Sequence, residues 1–442
     1  MDRIIIISLL VLSRLAVNAQ TDSMVVTMDE AVKQALEENP DIVVARNEVA
    51  IADNNASIAS ADLLPSLSAN AGYTLEVNDT YIEFANEDQP PIDRSGAQAS
   101  TFQANLELNY NIFNGLAKYK NYESLLIQSD ISNQQTRLQV ENTILQTINT
   151  FLEVVRLKEE SKINEEAVET SLQRLQRVEN QYEFGGVTKL QVLNAKVDLN
   201  NDSINFARTL TNLANNKRNL MILMGNQPDT IYTVPTSLSI NRNIALQNIM
   251  QEALKNNTNL ILTELRRQNA DIQTVIAKAN NYPRLDLSAS YGYTRNENEA
   301  SFFTFQENLG FSGSLNMSYN IFNGDQRARQ IQNAKLQLAS SRTTEDFARK
   351  QVKRDVLNAY ENYENSLFLL SLAEDDLYTA RLNFERSEEA YQTGQINSTE
   401  YRQAQLNLVQ AAYRIVELKV QAKNAEVELY RLAGALMARA EQ

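Results

Sequence analysis

The chain has 442 residues, 43% of them apolar, with 55 acidic against 41 basic side chains and a net charge of -14. That length and apolar content suffice for a sizeable core, and the negative charge speaks against a nucleic-acid partner. With no Cys and no His there is no thiolate or imidazole ligand, no Cys or His nucleophile or base and no disulfide, so neither enzymatic chemistry nor a metal or cofactor is expected.

Residues 1–19 combine Arg3, an apolar run from Ile4 to Leu12 and Val17-Asn18-Ala19 before Gln20, the pattern of a cleaved secretory signal peptide. The run is far shorter than the roughly 20 residues of a spanning helix, and no other segment approaches that length. No Cys follows the cleavage site, so no lipoprotein anchor is expected. Any membrane crossing therefore has to be made by strands closed into a barrel.

With only 12 Gly and 7 Pro the rest reads as mostly helical. A helix is expected from Asp41 to Leu63. A strand follows at about 66–78, where Leu67, Ala69, Ala71, Tyr73, Leu75 and Val77 alternate with Ser68, Asn70, Gly72, Thr74 and Glu76. A second strand at about 101–113 alternates Phe102, Ala104, Leu106, Leu108, Tyr110 and Ile112 with polar residues. After Gly115 no Gly or Pro occurs until Gly185, which predicts a helix over about 116–184, on the order of 100 Å long at 1.5 Å per residue. A shorter, antiparallel return helix is expected over 187–224. Together with the 41–63 helix it matches the long helix in length, so the two are expected to stack end to end beside it.

A linker at 226–243, with Pro228 and Pro235, leads into a second copy of the same unit. Its strands are expected at 285–294 and 309–322, its long helix at 325–393 and its return helix at 396–432, before a short tail at 435–442. The hexapeptide Tyr110-Asn111-Ile112-Phe113-Asn114-Gly115 recurs as Tyr319-Asn320-Ile321-Phe322-Asn323-Gly324, displaced by 209 positions. Upstream, Ala35-Leu36 and Pro65 match Ala253-Leu254 and Pro283 with a displacement of 218, so the first copy holds nine extra residues between Pro65 and Tyr110. In the second long helix Val356, Tyr363, Leu370, Leu377, Phe384 and Tyr391 recur every seven residues, which predicts coiled-coil packing.

The strands have one apolar and one polar face, as a barrel between lipid and water requires, although a half-buried soluble sheet alternates in the same way. Four strands are too few to close a barrel, so closure requires several copies. The connections Asn78 to Ala99 and Arg295 to Asn308 are polar and long for hairpins, and read as external loops. Carboxylates scattered along the helices read as solvated surface.

Asn39-Pro40 in the first helix, Leu64-Pro65-Ser66-Leu67 before a strand and the duplicated hexapeptide after one, in this order and spacing, resemble the TolC family of outer-membrane efflux and secretion proteins. The resemblance runs from about Thr27 to Gly434. It implies a homotrimer whose twelve strands complete a β-barrel continued by an α-helical tunnel, in the outer membrane and extending into the periplasm. It also implies a passive exit duct for drugs, toxic compounds or polypeptides, in contact with outer-membrane lipid and partnered by a periplasmic adaptor and an inner-membrane transporter. The strand-end motif would be Tyr110, Phe113, Gly115, Tyr319, Phe322 and Gly324. Tyr182, Gly185, Gly186, Tyr391 and Gly394 would form the tips on which adaptors dock. Acidic rings of the family fall six and nine residues after the second glycine, at Glu400 and Gln403, with Gln191 and Asn194 equivalent in the first copy. The glutamine departs from that pattern. A structural periplasmic coiled-coil protein and an adaptor subunit remain the alternative readings.

Overall fold

The computed structural model describes residues 24–85 and 88–437. The expected signal peptide and most of the C-terminal tail lie outside the described residues. In chain order come β1 (Met24–Val25), α1 (Met28–Glu38), α2 (Pro40–Asn55), β2 (Ser66–Ile82), β3 (Ile92–Phe113), α3 (Ala117–Glu183) and α4 (Lys189–Leu223). There follow β4 (Tyr232–Thr233), α5 (Leu246–Asn256), α6 (Thr258–Ala279), β5 (Arg284–Asn298), β6 (Phe305–Ser318), α7 (Gln326–Gln392) and α8 (Ser398–Leu432). Both long helices have 67 residues and both return helices 35.

Two short helices, α1 and α5, precede the breaks at Asn39-Pro40 and Asn257-Thr258. Helix α1 opens with a capping box: Thr27 Oγ1 accepts from Glu30 N at 3.2 Å, and Glu30 Oε2 accepts from Thr27 N at 2.8 Å. It closes at Asn39, which takes extended backbone (φ -66°, ψ 126°) because the following proline disfavours the helical region. Helix α2 stops at Asn55, eight residues before the expected end. Beyond it Ser57 Oγ accepts from Ser60 N at 3.2 Å and Asp62 takes φ +55°, so the backbone leaves the helix. Its 16 residues and the 35 of α4 therefore fall short of the 67 in α3. In both copies the asparagine at the break meets the C-terminus of the return helix. Asn39 Nδ2 donates to Leu223 O at 2.9 Å and Asn257 Nδ2 to Leu432 O at 3.0 Å, satisfying carbonyls that a helix C-terminus leaves open.

The described residues form two compact units, each drawing on both copies: residues 24–44, Leu138–Asn257 and 352–437 make one, and Ala45–Arg137 with Thr258–Gln351 the other. In the first unit the core lies between helices. Val356, Ala359, Tyr363, Ser366, Leu370 and Ala373 of α7 are buried, and Leu370 and Ala373 cluster with Ile415 and Ala422 of α8. The 226–243 segment is not a loose linker, because β4 within it pairs in parallel with β1. Lys217 donates to Tyr232 O at 2.7 Å, and Lys158 to Thr233 Oγ1 and Val234 O at 2.8 and 2.5 Å, which pins the small sheet to α3 and α4. Burial holds both ammonium groups below their usual range, Lys217 further so through the charge of Lys158.

The second unit carries one antiparallel sheet in the order β2-β3-β5-β6. Register lines up Ala69, Leu106, Tyr291 and Phe311 in one row, and Ser68, Glu107, Ser290 and Ser312 in the neighbouring row on the opposite face. The strands run further than their alternation suggested. Asn78 still pairs with Ala97 and Ile82 with Ile92, while Asp79 accepts from Ser95 Oγ (2.6 Å) and Gly96 N (2.7 Å) where the register shifts. The expected external loops are thus mostly paired strand, because polar composition does not prevent antiparallel pairing. Conversely β6 stops at Ser318, short of 322: it lies at the sheet edge, and its last pair is Arg284 with Ser318.

Candidate functional site

The helical tips are built by two similar turns. Gly185 N donates to Tyr182 O (3.0 Å) and Gly186 N to Gln181 O (2.8 Å); in the second copy Gly394 N donates to Tyr391 O (3.2 Å) and Gln395 N to Ala390 O (2.8 Å). Gly185 and Gly394 take φ +73° and +76°, and an added Cβ would meet nothing within 4 Å, so backbone conformation rather than space requires glycine there. The tips differ in what they display. Phe184 is 90% exposed and Tyr182 is exposed, whereas Tyr391 is buried.

Immediately after each turn the return helix begins with the same device. Gln191 Oε1 accepts from Thr188 N at 3.1 Å, and Glu400 Oε2 accepts from Asn397 N at 2.9 Å while Asn397 Oδ1 accepts from Glu400 N at 3.0 Å. The two equivalent positions six residues after the glycines thus both close a helix start. Gln403 Nε2 donates to Asn407 Oδ1 at 2.9 Å. Gln191, Asn194 and Gln403 meet in one cleft of about 330 Å³ that is also lined by Arg174, Asp198 and Arg402.

Behind that cleft lies a polar network that the sequence reading missed. Arg402 donates to both oxygens of Asp202 (2.7 and 2.8 Å), and Nη1 also reaches Ser171 Oγ at 3.1 Å. Ser171 donates to Asp202 Oδ2 at 2.5 Å, and Gln405 Nε2 to Ala167 O at 3.0 Å. Arg174 pairs with Asp198 and donates to Ser398 O at 3.4 Å. These contacts tie α8 to α3 and α4. Asp202 and Arg174 are buried, which corrects the reading of helical charges as solvated surface. Only a capable partner on another helix makes such burial tolerable, and a linear pattern does not reveal it.

An aromatic stack stands beside the network. The Tyr391 and Tyr401 rings lie 4.7 Å apart at 10°, Phe384 lies 5.5 Å from Tyr401, and the Arg177 guanidinium sits 5.1 Å from the Tyr391 ring centre. Burial pushes the Tyr401 phenol up to about 12.

The strand-end motif lies in the unit that carries the sheet, and its two copies differ. Tyr110 and Phe113 belong to β3, whereas Tyr319 and Phe322 follow the end of β6. Gly115 and Gly324 both take positive φ before the long helices. Among the described residues no cluster of acidic side chains could hold a metal ion.

Such a chain, with a duplicated helical scaffold and a strand pair in each copy, matches the model described as outer membrane efflux protein over residues 31–226 and again over 249–435. The chain belongs to this outer-membrane efflux channel family. Among proteins it is similar to, the pyoverdine export outer membrane protein OpmQ of Pseudomonas aeruginosa is 24% identical over 92% of this chain and 85% of its own length. Outer membrane protein TolC of Escherichia coli K12 is 21% identical over 82% and 73%. The crystal structure of the Campylobacter jejuni CmeC outer membrane channel superposes with a TM-score of 0.74 at 17% identity, covering 92% of this chain and 86% of the other.

Proposed function

We propose that the chain is one protomer of a homotrimeric exit duct, in which three four-stranded sheets close a twelve-stranded barrel in the outer membrane and the helices continue it into the periplasm. The observation that carries this reading is the sheet. Its apolar face is exposed on the edge strands, with Leu67 at 68% and Phe311 at 73%, and partly exposed on β3 and β5, and β2 and β6 each have a partner on one side only. Open ladder groups cannot face hydrocarbon, where each costs several kcal/mol, so closure edge to edge with further copies satisfies both surfaces. Exposed apolar residues along one face of α7 (Leu357, Phe368, Leu372 and Leu382) and of α4 (Leu190, Leu193, Val197 and Ile204) support further contacts between protomers.

By extension from its relatives, the duct is passive rather than enzymatic and conducts drugs, toxic compounds or polypeptides within a tripartite efflux or type I secretion complex. A periplasmic adaptor docks on Tyr182, Gly185, Gly186, Tyr391 and Gly394, and an inner-membrane transporter drives export. A cleaved signal peptide delivers the chain through the general export pathway. Light scattering of the detergent-purified protein should give a trimer, and planar bilayers should show stepwise conductance. A monomer without conductance would overturn the proposal.

Glu400, with Gln403, Gln191 and Asn194, is assigned to the periplasmic entrance. Glu400→Gln tests the charge alone, since Gln191 closes the equivalent helix start in the first copy. Cation selectivity should fall, and unchanged selectivity removes Glu400 from the gate.

A further inference from the structure

At the helix end of the sheet both copies place a cation against the tyrosine of the repeated hexapeptide. Lys118 and Arg327 are themselves displaced by 209 positions. Lys118 Nζ lies 4.4 Å from the Tyr110 ring centre and donates to Asn111 O at 2.5 Å and Tyr110 Oη at 3.3 Å. The Arg327 guanidinium lies 5.8 Å from the Tyr319 ring centre and donates to Ile321 O at 3.1 Å and Asn280 O at 3.4 Å. Every one of these acceptors is neutral. Tyr110 shares the apolar row of Leu287 and Leu315, so its cation stands at the margin of the face read above as lipid-facing. Around the pairs, Ile321 is 83% and Phe322 78% exposed, and Leu116 and Tyr119 are exposed as well.

Charge along the sheet is polarised. Residues 60–66, 114–120, 278–284 and 323–335, at the helix end, hold seven basic and two acidic side chains. Residues 78–85, 88–94 and 295–307, at the hairpin end, hold two basic and seven acidic ones. In a chain of net charge -14, this basic margin coincides with exposed aromatic and aliphatic side chains. An amphipathic ring with a cation beside it suits the layer where hydrocarbon gives way to headgroups.

We infer that Tyr319 with Arg327, supported by Tyr110 with Lys118, forms a headgroup belt that binds the phosphodiester of anionic glycerophospholipids in the leaflet beside the helices. The belt rests on the barrel reading, and it names the lipid chemistry that this margin selects. Arg327 is the contact residue, because it is half-exposed and its planar fork matches phosphate oxygens in pairs. Lys118 is buried beneath its tyrosine and adds field rather than contact. The acidic hairpin end repels the same headgroups.

The test uses the full chain inserted into nanodiscs of mixed phosphatidylcholine and phosphatidylglycerol, with lipids retained after detergent release counted by native mass spectrometry. Phosphatidylglycerol should be enriched roughly fivefold per contact cation. Arg327→Gln should remove that enrichment and Arg327→Lys keep part of it. Arg94→Gln, at the hairpin end, should leave it unchanged, and millimolar inorganic phosphate should not compete. Equal retention of the two lipids, enrichment that survives Arg327→Gln, enrichment lost equally in Arg94→Gln, or displacement by inorganic phosphate each overturns the belt. Failure of the wild-type chain to insert into any bilayer instead overturns the barrel reading, and the belt with it.

Discussion

Replacing Asp202 by Ala removes the carboxylate that meets Arg402 in two hydrogen bonds and accepts a third from Ser171. The Arg402 side chain is 11% exposed, so its guanidinium is left without a full partner in a nearly dry site. Breaking one side of a buried pair costs about 3–5 kcal/mol. Asp198, 4.0 Å from Arg402 Nε, is a second carboxylate that softens the loss. The expected cost is therefore near the lower limit, about 3 kcal/mol, equivalent to roughly a hundredfold increase in local opening. Hydrogen exchange of backbone amides in 165–175, 198–206 and 402–410 reads this directly, since the network joins three helices there. The double variant Arg402→Met with Asp202→Leu removes both charges together and should recover most of the protection. Exchange within about twofold of wild type for Asp202→Ala, or a double variant as poorly protected as the single one, would refute the assignment.

Phe311→Lys puts a charge on the exposed apolar face and should cost about 2–4 kcal/mol of barrel stability in liposomes, whereas Ser312→Lys on the opposite face should fold as wild type; equal folding yields would undo the assignment of faces. Gly394→Ala should cost about 1–2 kcal/mol from its positive φ alone. Gly434→Ala should cost more, because its Cβ would also stand 2.3 Å from Asn256 O, and denaturant unfolding ranks the two. Tyr401 has a folded pKa raised by burial to about 12, so its contribution to stability is fully present below the unfolded value of about 10 and is lost as pH rises from 10 to 12. Tyr401→Phe should lack that loss, and a wild-type minus variant absorbance titration with a midpoint near 10 would contradict it.

The repeat, the strand faces and the glycine turns were all legible in the residues. Period two at 67–77 and 102–112, period seven at 356–391 and the absence of Gly and Pro across each long helix are local signals that act within a few residues. The short helix α1 was also readable in principle, from Thr27, Glu30 and the Asn39-Pro40 break. Two of the failed expectations show what hydrophobic periodicity alone does not register. Helix α2 ends early because serine hydroxyls compete for backbone groups. The hairpins extend because pairing continues wherever a facing strand is available, whatever the polarity of its side chains.

At the tips the same division holds. At position 400 the family resemblance implies a gate carboxylate, and only the folded geometry gives it a second task, closing the start of α8. Asp202 and Arg402 lie 200 positions apart, and neither residue marks its neighbourhood as buried. The sequence by itself determined the duplicated plan of a strand pair, a long helix and a return helix in each copy, because periodicity and turn chemistry are properties of neighbours along the chain. Only the tertiary structure decided which charges are buried and which cations end the sheet, because partners for a buried charge are supplied by whatever other helix or strand packs against it.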